Sequence, residues 1–465
     1  MNADRKRRIA AVRRALPNRI SILFALFLLG LVVICLNLFK NNALGLSELM
    51  EVGATGRMAV VHSVDYLQPG YNLVPQKTQY HVLLPCDGTH AYHEWQARVF
   101  YYWLRRIKES KDPKAMGGFT RLLHSGAPDV WMDEVPTVVV DPLPRDLQRV
   151  ADGYAMLNRP YAVQQWVTHY MAKIPEHFVL LAEPDHIFIR APPLWATYSR
   201  PSAYPMGFID TQNSKHRTIF QKFNVKNVPL KQWHPVGPSP LMISKKQLGL
   251  LVNPWLNISF ALRQDSEAHE LFGWTTELYA FSIAAAITPG GPRAMTLRPE
   301  FMVQPPWDST LKGKNGRRAA FIHYTYSQDF DSEGTFTPAV VGKYHFDKRD
   351  YVSKYPPLKP RRPPRGCSNE ASKMMMKLIN IASTNLDGWA VRAYLKNEPV
   401  PGHWGVEGDV LDWADPEETE VGAEDVAEYS YGDVLLDDID DIDDIDDIED
   451  IDIEKDEALE DDDYE

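Results

Sequence analysis

The chain has 465 residues, 44% of them hydrophobic and 24% charged, with a formal net charge of −12. That length and apolar content suffice for a sizeable buried core. Three cysteines exclude a chain held together chiefly by disulfides. The net charge conceals an asymmetry. Residues 407–465 hold 30 acids and one base, Lys455, out of 62 acids and 50 bases in all, so residues 1–406 carry +17 and the tail −29.

The first segment is basic. Arg5, Lys6, Arg7, Arg8, Arg13, Arg14 and Arg19 precede an apolar run from Ile20 to Phe39 broken only by Ser21, Gly30 and Asn37. At ~1.5 Å per residue in a helix, that run spans a ~30 Å hydrocarbon core. It is longer than the ~7–15 apolar residues of a cleaved signal peptide and exits into Lys40-Asn41-Asn42. The spacing predicts an uncleaved signal anchor with the basic flank in the cytosol and the rest lumenal. Residues 40–75, aperiodic and rich in glycine, read as a stem. Cys35 lies in the span, so Cys86 and Cys367 are the lumenal cysteines and one disulfide between them is open. Asn257-Ile258-Ser259 is a glycosylation sequon with Asn257 as acceptor.

From residue 76 strands and helices alternate. Tyr80–Leu84 predicts a first strand ending at Pro85-Cys86-Asp87-Gly88. A helix follows from about Tyr92, with Trp95, Val99, Trp103 and Ile107 on one face. Gly117–Gly126 reads as a loop. Thr137–Val140 is a second strand, and Pro160 opens a helix whose buried stripe is Val163, Trp166, Val167, Tyr170 and Met171. Val179–Ala182 is a short apolar strand that Pro184 must end, placing Glu183, Asp185 and His186 at its tip. Ser244 caps a helix over Lys245–Val252, a longer helix covers Ala268–Ile287, and Ala320–Tyr326 is a late strand. Ser368 begins a last helix with Ala371, Met374, Met375, Leu378, Ile379 and Ala382 inward. The alternation predicts an α/β domain, a mainly parallel sheet flanked by helices. The tail, with its Asp-Asp-Ile repeat, predicts disorder.

Several groups carry chemistry. Glu183 and Asp185 at a strand tip suit a divalent cation that also holds a diphosphate, or else cap backbone amides. His323 is either a late metal ligand or a core histidine. Arg121, with His124, contacts a phosphate or a partner, or else belongs to a simple loop turn. Asn158-Arg159 puts a guanidinium near a helix start, where phosphate binds, or simply caps the helix. Gln304-Pro305-Pro306-Trp307-Asp308 sets an indole and a carboxylate in a rigid turn; Trp307 is a sugar platform or core. Glu277, on a mostly apolar helix, needs a partner, whether functional or an arginine.

These stretches together resemble the plant and algal peptidyl-hydroxyproline O-arabinosyltransferases. The resemblance runs through Tyr101-Tyr102-Trp103, Gly117–Arg121 with His124-Ser125-Gly126, Val139–Pro144 and Leu157-Asn158-Arg159-Pro160. It continues through Glu183-Pro184-Asp185-His186, Phe272-Gly273-Trp274, Gln304–Asp308, His323-Tyr324-Thr325-Tyr326 and Phe346-Asp347-Lys348-Arg349. It covers about residues 79–389. Peptidyl-serine α-galactosyltransferases are similar over the same region.

The resemblance implies a GT-A-like glycosyltransferase fold in a single-pass Golgi or ER membrane protein. It implies Mn²⁺-dependent, retaining transfer from UDP-β-L-arabinofuranose to hydroxyproline in cell-wall or secreted proteins. The expected partners are thus a UDP-sugar, a hydroxyproline-rich acceptor and a membrane, with no nucleic acid. Asp185 and His323 are the expected metal ligands. Asp87, Arg121, Asn158, Arg159, Glu183 and Trp307 are expected on the donor, and Glu277 and Asp308 are the catalytic candidates. Retention requires no dedicated general base, so Glu277 is not fixed as one. The expected layout is a cytosolic tail at 1–19, anchor at 20–39, stem at 40–75, catalytic domain at 76–389, linker at 390–406 and acidic tail at 407–465. A serine galactosyltransferase and a non-catalytic lumenal binding module on the same scaffold are the alternatives.

Overall fold

The computed structural model describes residues 76–394 except 111–114, 151–152, 211–212, 225–226, 230–231, 293 and 339. The basic segment, the apolar run, the stem and the acidic tail lie outside the described residues, so the topology and tail expectations are not addressed by it. Among the described residues no helix is long and apolar enough to cross a membrane.

Strand β1 (Gln76–Cys86) is the organising strand. Val82, Leu83 and Leu84 are all buried, so both of its faces are covered, as a central parallel strand requires. On either side β2 (Met116–Leu123) and β4 (Glu176–Leu181) pair with it in parallel, and β3 (Thr137–Val139) continues in parallel beyond β2. Past β4 the direction reverses. β7 (Val236–Ser244) runs antiparallel to both β4 and β6 (Ser202–Pro205), and β8 (Thr296–Leu297) lies parallel to β6. The seven-stranded order is β3-β2-β1-β4-β7-β6-β8. The sheet is therefore mixed and mostly parallel.

Helix α1 (Ala91–Glu109) buries Trp95, Val99 and Trp103, and the Trp103 indole N–H donates to the Leu378 carbonyl in α6 (Glu370–Asn385) at 3.1 Å. Helix α2 (Asn158–His169) buries Val163 and Trp166. The Ser244 hydroxyl accepts the Gln247 N–H and starts α3, which runs on from Lys245 to Gln264 through Pro254 rather than stopping at Val252. Trp255, Leu256, Ile258 and Leu262 beyond the proline are buried, and packing on that scale outweighs the roughly 3 kcal/mol a helical proline costs. The single helix expected over Ala268–Ile287 is two, α4 (Ser266–Phe272) and α5 (Thr276–Ile287). They part at Gly273, whose φ of +47° suits glycine and no other residue well.

Gly117 and Gly118, expected in a loop, lie within β2. A Cβ on Gly117 would stand 2.2 Å from the Glu176 carboxylate, which accepts the Gly118 N–H. Glycine here admits a buried carboxylate from the neighbouring region of the sheet, a use of strand glycine that a turn-based reading overlooks.

A second, three-stranded sheet has the order β5-β10-β9. β5 (His186–Phe188) pairs antiparallel with β10 (Phe321–His323), which pairs in parallel with β9 (Met302–Val303). β11 (Gln328–Phe330) and β12 (Tyr344–Phe346) form a two-stranded ribbon. Cys86 and Cys367 are both buried and unpaired, so the open disulfide is not made.

Candidate metal and donor site

The chain leaves the large sheet and enters the small one within five residues. Ala182 N–H still donates to Leu83 O at 3.1 Å, the last rung of the β1–β4 ladder. Pro184 has no donor to offer a ladder, and the chain turns, closed by His186 N–H to Glu183 O at 3.1 Å. It then pairs as β5 with β10, a partner far away in sequence, in a register that sets His323 opposite His186. Tyr324 N–H ties to Asp185 O at 3.2 Å. The joint between two sheets thus carries Glu183, Asp185 and His186, and the end of β10 brings His323 to them.

One ligating atom from each of Glu183, Asp185, His186 and His323 lies within 4.8 Å of the others. His323 Nε2 is 3.1 Å from Asp185 Oδ2 and 3.8 Å from Glu183 Oε2. The two imidazoles meet edge to face at 4.8 Å. His186 Nε2 and His323 Nδ1 are buried without a hydrogen-bond partner. Buried polar atoms rarely remain so, and each such nitrogen calls for an explanation such as an ion or a water. Burial, with His323 adding to it, holds the His186 imidazolium well below its ordinary range, leaving the neutral ring that ligates metals. Two carboxylates and two imidazoles suit a first-row transition ion better than Ca²⁺ or Mg²⁺, which take oxygen almost alone. The residues fit a metal of this class.

Cations surround the acids. Lys348 Nζ donates to Asp185 Oδ2 in a short contact. Burial alone would raise the Asp185 carboxyl, but Lys348 and His323 outweigh it and hold it well below the carboxylate range. Arg159, in the first turn of α2, reaches Glu183 at 2.7 Å and Glu277 at 3.4 Å. Glu277 opens α5 and is 1% exposed. Burial pushes its carboxyl up to about 7, with Arg159 opposing and Glu183 adding to the rise.

The other expected residues are placed as follows. Asp87 follows the end of β1 on the same sheet edge as the tip of β4, its carboxylate accepting the Thr89 N–H and hydroxyl at 3.1 and 2.7 Å. Asn158 accepts the Leu143 N–H at 2.7 Å and fastens the loop before α2. Arg121 is fully buried, its guanidinium held by Asp129 at 2.6 and 2.8 Å and by Thr137, so it joins the core and no open cleft. Asp308 accepts the Gln304 N–H at 2.8 Å across its own turn. Trp307 is 62% exposed, edge to face with Phe336 at 5.0 Å and with Tyr326 at 6.4 Å, so it is not core. Asn257 sits within α3, and the Ser259 hydroxyl of its sequon is buried against Trp255 O at 2.8 Å. A helical sequon with a buried hydroxyl is not the surface loop that an acceptor site implies.

Two participants were not singled out in the sequence reading. His186 was placed at the strand tip but not among the ligands. Lys348 sits in the Phe346–Arg349 stretch, whose local charges give no hint that its ammonium reaches Asp185.

Residues 80–292 match the hydroxyproline O-arabinosyltransferase family N-terminal domain, and residues 320–390 match the C-terminal domain of that family. Hydroxyproline O-arabinosyltransferase RDN2 of Medicago truncatula is 38% identical over 318 residues, 68% of this chain and 84% of the relative. Hydroxyproline O-arabinosyltransferase 3 of Arabidopsis thaliana is 40% identical over 311 residues, 67% of this chain and 82% of the relative. Among solved structures, the galactosyltransferase LgtC in complex with donor and acceptor sugar analogs aligns with a TM-score of 0.37 at 14% identity, over 67% of this chain and 99% of that one.

Proposed function

This chain belongs to the hydroxyproline O-arabinosyltransferase family, and from that premise we propose that it transfers L-arabinofuranose from UDP-β-L-arabinofuranose to hydroxyproline, with retention, on a GT-A-like fold. The observation that carries the reading is the Glu183–Asp185–His186–His323 cluster at the carboxyl edge of parallel strands, where open α/β sheets take their ligands. Asp185 and His323 would hold Mn²⁺, with His186 and Glu183 completing the donor set. Bound there, the ion would supply Lewis-acid stabilisation to the diphosphate leaving group.

The protein's own groups do the rest. Arg159 fixes the Glu183 carboxylate at 2.7 Å and brings fixed positive charge to the strand tip. Glu277 holds Arg159 from behind and, buried as it is, positions the guanidinium rather than meeting solvent. Trp307 and Tyr326 present exposed rings, and aromatic faces suit sugar and proline rings alike. Tyr326 follows His323 by three residues, so its Cα lies within ~11 Å of that ligand's. For the whole protein we propose a single-pass membrane enzyme of the Golgi or ER with its catalytic domain in the lumen, resting on the basic flank and the apolar run at Ile20–Phe39.

The test is Asp185→Asn, which removes a charge at nearly constant shape. Its turnover should fall by about 100-fold or more, the equivalent of roughly 3 kcal/mol, with the Mn²⁺ dependence lost; melting should stay cooperative but at a lower temperature, because Lys348 loses its counter-ion. Near-normal turnover with an unchanged Mn²⁺ response would put the site elsewhere.

A further inference from the structure

Asp185 Oδ2 is contacted twice. His323 Nε2 stands 3.1 Å away, and Lys348 Nζ donates to the same oxygen. The ammonium therefore sits among the atoms that would ligate a metal. It is held there. The Lys348 side chain is 11% exposed, and Nζ lies 5.8 Å from the Tyr92 ring centroid. Lys348 opens a short turn, Lys348–Tyr351, which Asp347 caps by accepting the Arg349 N–H at 2.9 Å. His345, just before the turn, is gripped by Asp329 at 2.7 Å and Asp350 at 3.1 Å, and Tyr92 N–H reaches Val352 O at 3.2 Å beyond it. This is a lysine delivered to one carboxylate by a fixed loop, not a surface side chain that drifted into range.

A divalent ion and an ammonium on one buried oxygen repel strongly, because little water screens them. We propose that Lys348 is the resident counter-ion of Asp185, displaced when a divalent metal binds, and that the freed ammonium pairs with the diphosphate of a nucleotide, so that metal and nucleoside diphosphate bind cooperatively. The inference rests on the metal-site reading above and extends it. Metal alone would break the Lys348–Asp185 pair and leave a nearly buried ammonium without an anion, which opposes binding. A diphosphate supplies that anion. Each ligand then favours the other by the same factor, because coupling between two binding equilibria is reciprocal.

The experiment is a Mn²⁺ titration of the full-length protein, with free Mn²⁺ followed by electron paramagnetic resonance, in the absence and presence of saturating UDP. In the natural protein UDP should tighten Mn²⁺ about tenfold, within the usual range of such couplings. In Lys348→Met, Mn²⁺ without UDP should bind tighter than in the natural protein, and the gain from UDP should shrink to about threefold or less. Lys348→Gln, which can still donate to Asp185 without a charge, should behave the same way. Mn²⁺ should also raise the melting temperature of both variants more than that of the natural protein, since it replaces the missing cation. Equal Mn²⁺ affinity and an equal UDP effect in all three proteins would overturn the proposal while leaving the metal site in place. So would two variants that stay unfolded with Mn²⁺ and UDP present. No Mn²⁺ binding by the natural protein even with UDP would sink the metal-site reading, and this proposal with it.

Discussion

Glu277 lies at the residue scale of the account, a carboxyl buried under Trp255, whose indole donates to the Glu277 carbonyl at 3.2 Å, with one guanidinium for company. Its carboxyl titrates near 4.5 in an unfolded chain and about 7 in the fold. A carboxyl raised in this way holds its proton more tightly when folded. Its contribution to stability is therefore complete below about pH 4.5 and is lost as pH rises through about 7. Above that range the ionised form lowers stability by up to roughly 3 kcal/mol. Glu277→Gln keeps the shape and removes the titration. In the metal-free protein it should melt with the natural protein near pH 4.5 and at a higher temperature at pH 8. Identical melting at pH 8 would mean the buried carboxylate carries no such burden.

The same scale shows why site residues were only half legible. Arg121 and Arg159 look alike in sequence, each a lone arginine in a polar-looking stretch. Asp129, eight positions on, takes Arg121 into the core, whereas Arg159 finds Glu183 and Glu277 through the fold. Asp185 could be read from sequence because Pro184 forces a strand to end beside it. Lys348 could not, because its partner is 163 residues away and no periodicity records such a contact.

Among elements, the decisive one is the three-residue β5. Pro184, just before it, marks the end of β4 correctly, but nothing local says that the chain re-enters a second sheet at His186. Pairing with β10 sets His323 opposite His186, and a slip of one residue would turn His323 to the other face and dissolve the cluster. The helices were easier, because their apolar stripes repeat. Their ends were harder: α3 runs past Val252 and through Pro254 because packing outweighs the proline, and Gly273 makes a stop that a continuous apolar pattern hides. Two adjacent glycines signal a turn, whereas Gly117 and Gly118 lie in a strand and make room for Glu176. Gly117→Ala would press a methyl onto that carboxylate, which the Gly118 N–H and His81 already hold. We expect a loss of about 1–3 kcal/mol, the usual result of overpacking, read as a lower urea midpoint at unchanged slope. An unchanged midpoint would show that Glu176 moves aside freely.

For the whole molecule, alternation of strand and helix gave the α/β class, and the structure refines the sheet to a mixed one whose parallel half bears the site. Antiparallel β7 escaped the reading because Gly237-Pro238-Ser239-Pro240 carries the signature of a turn, although all of Val236–Ser244 is buried. The family is shown by matches across residues 80–292 and 320–390, a span that holds every member of the metal cluster together with Arg159, Glu277 and Lys348.

The central claim is the transfer itself, and the measurement closest to it pairs donors with acceptors. Purified full-length protein with Mn²⁺ is offered UDP-β-L-arabinofuranose or UDP-galactose, each with a hydroxyproline peptide and with the same peptide carrying serine instead, and products are weighed by mass spectrometry. The account predicts a single pentose added to the hydroxyproline peptide, only from the arabinofuranose donor, and abolished by chelating the metal. Transfer of a hexose to serine in its place, or pentose transfer that survives chelation, would contradict it.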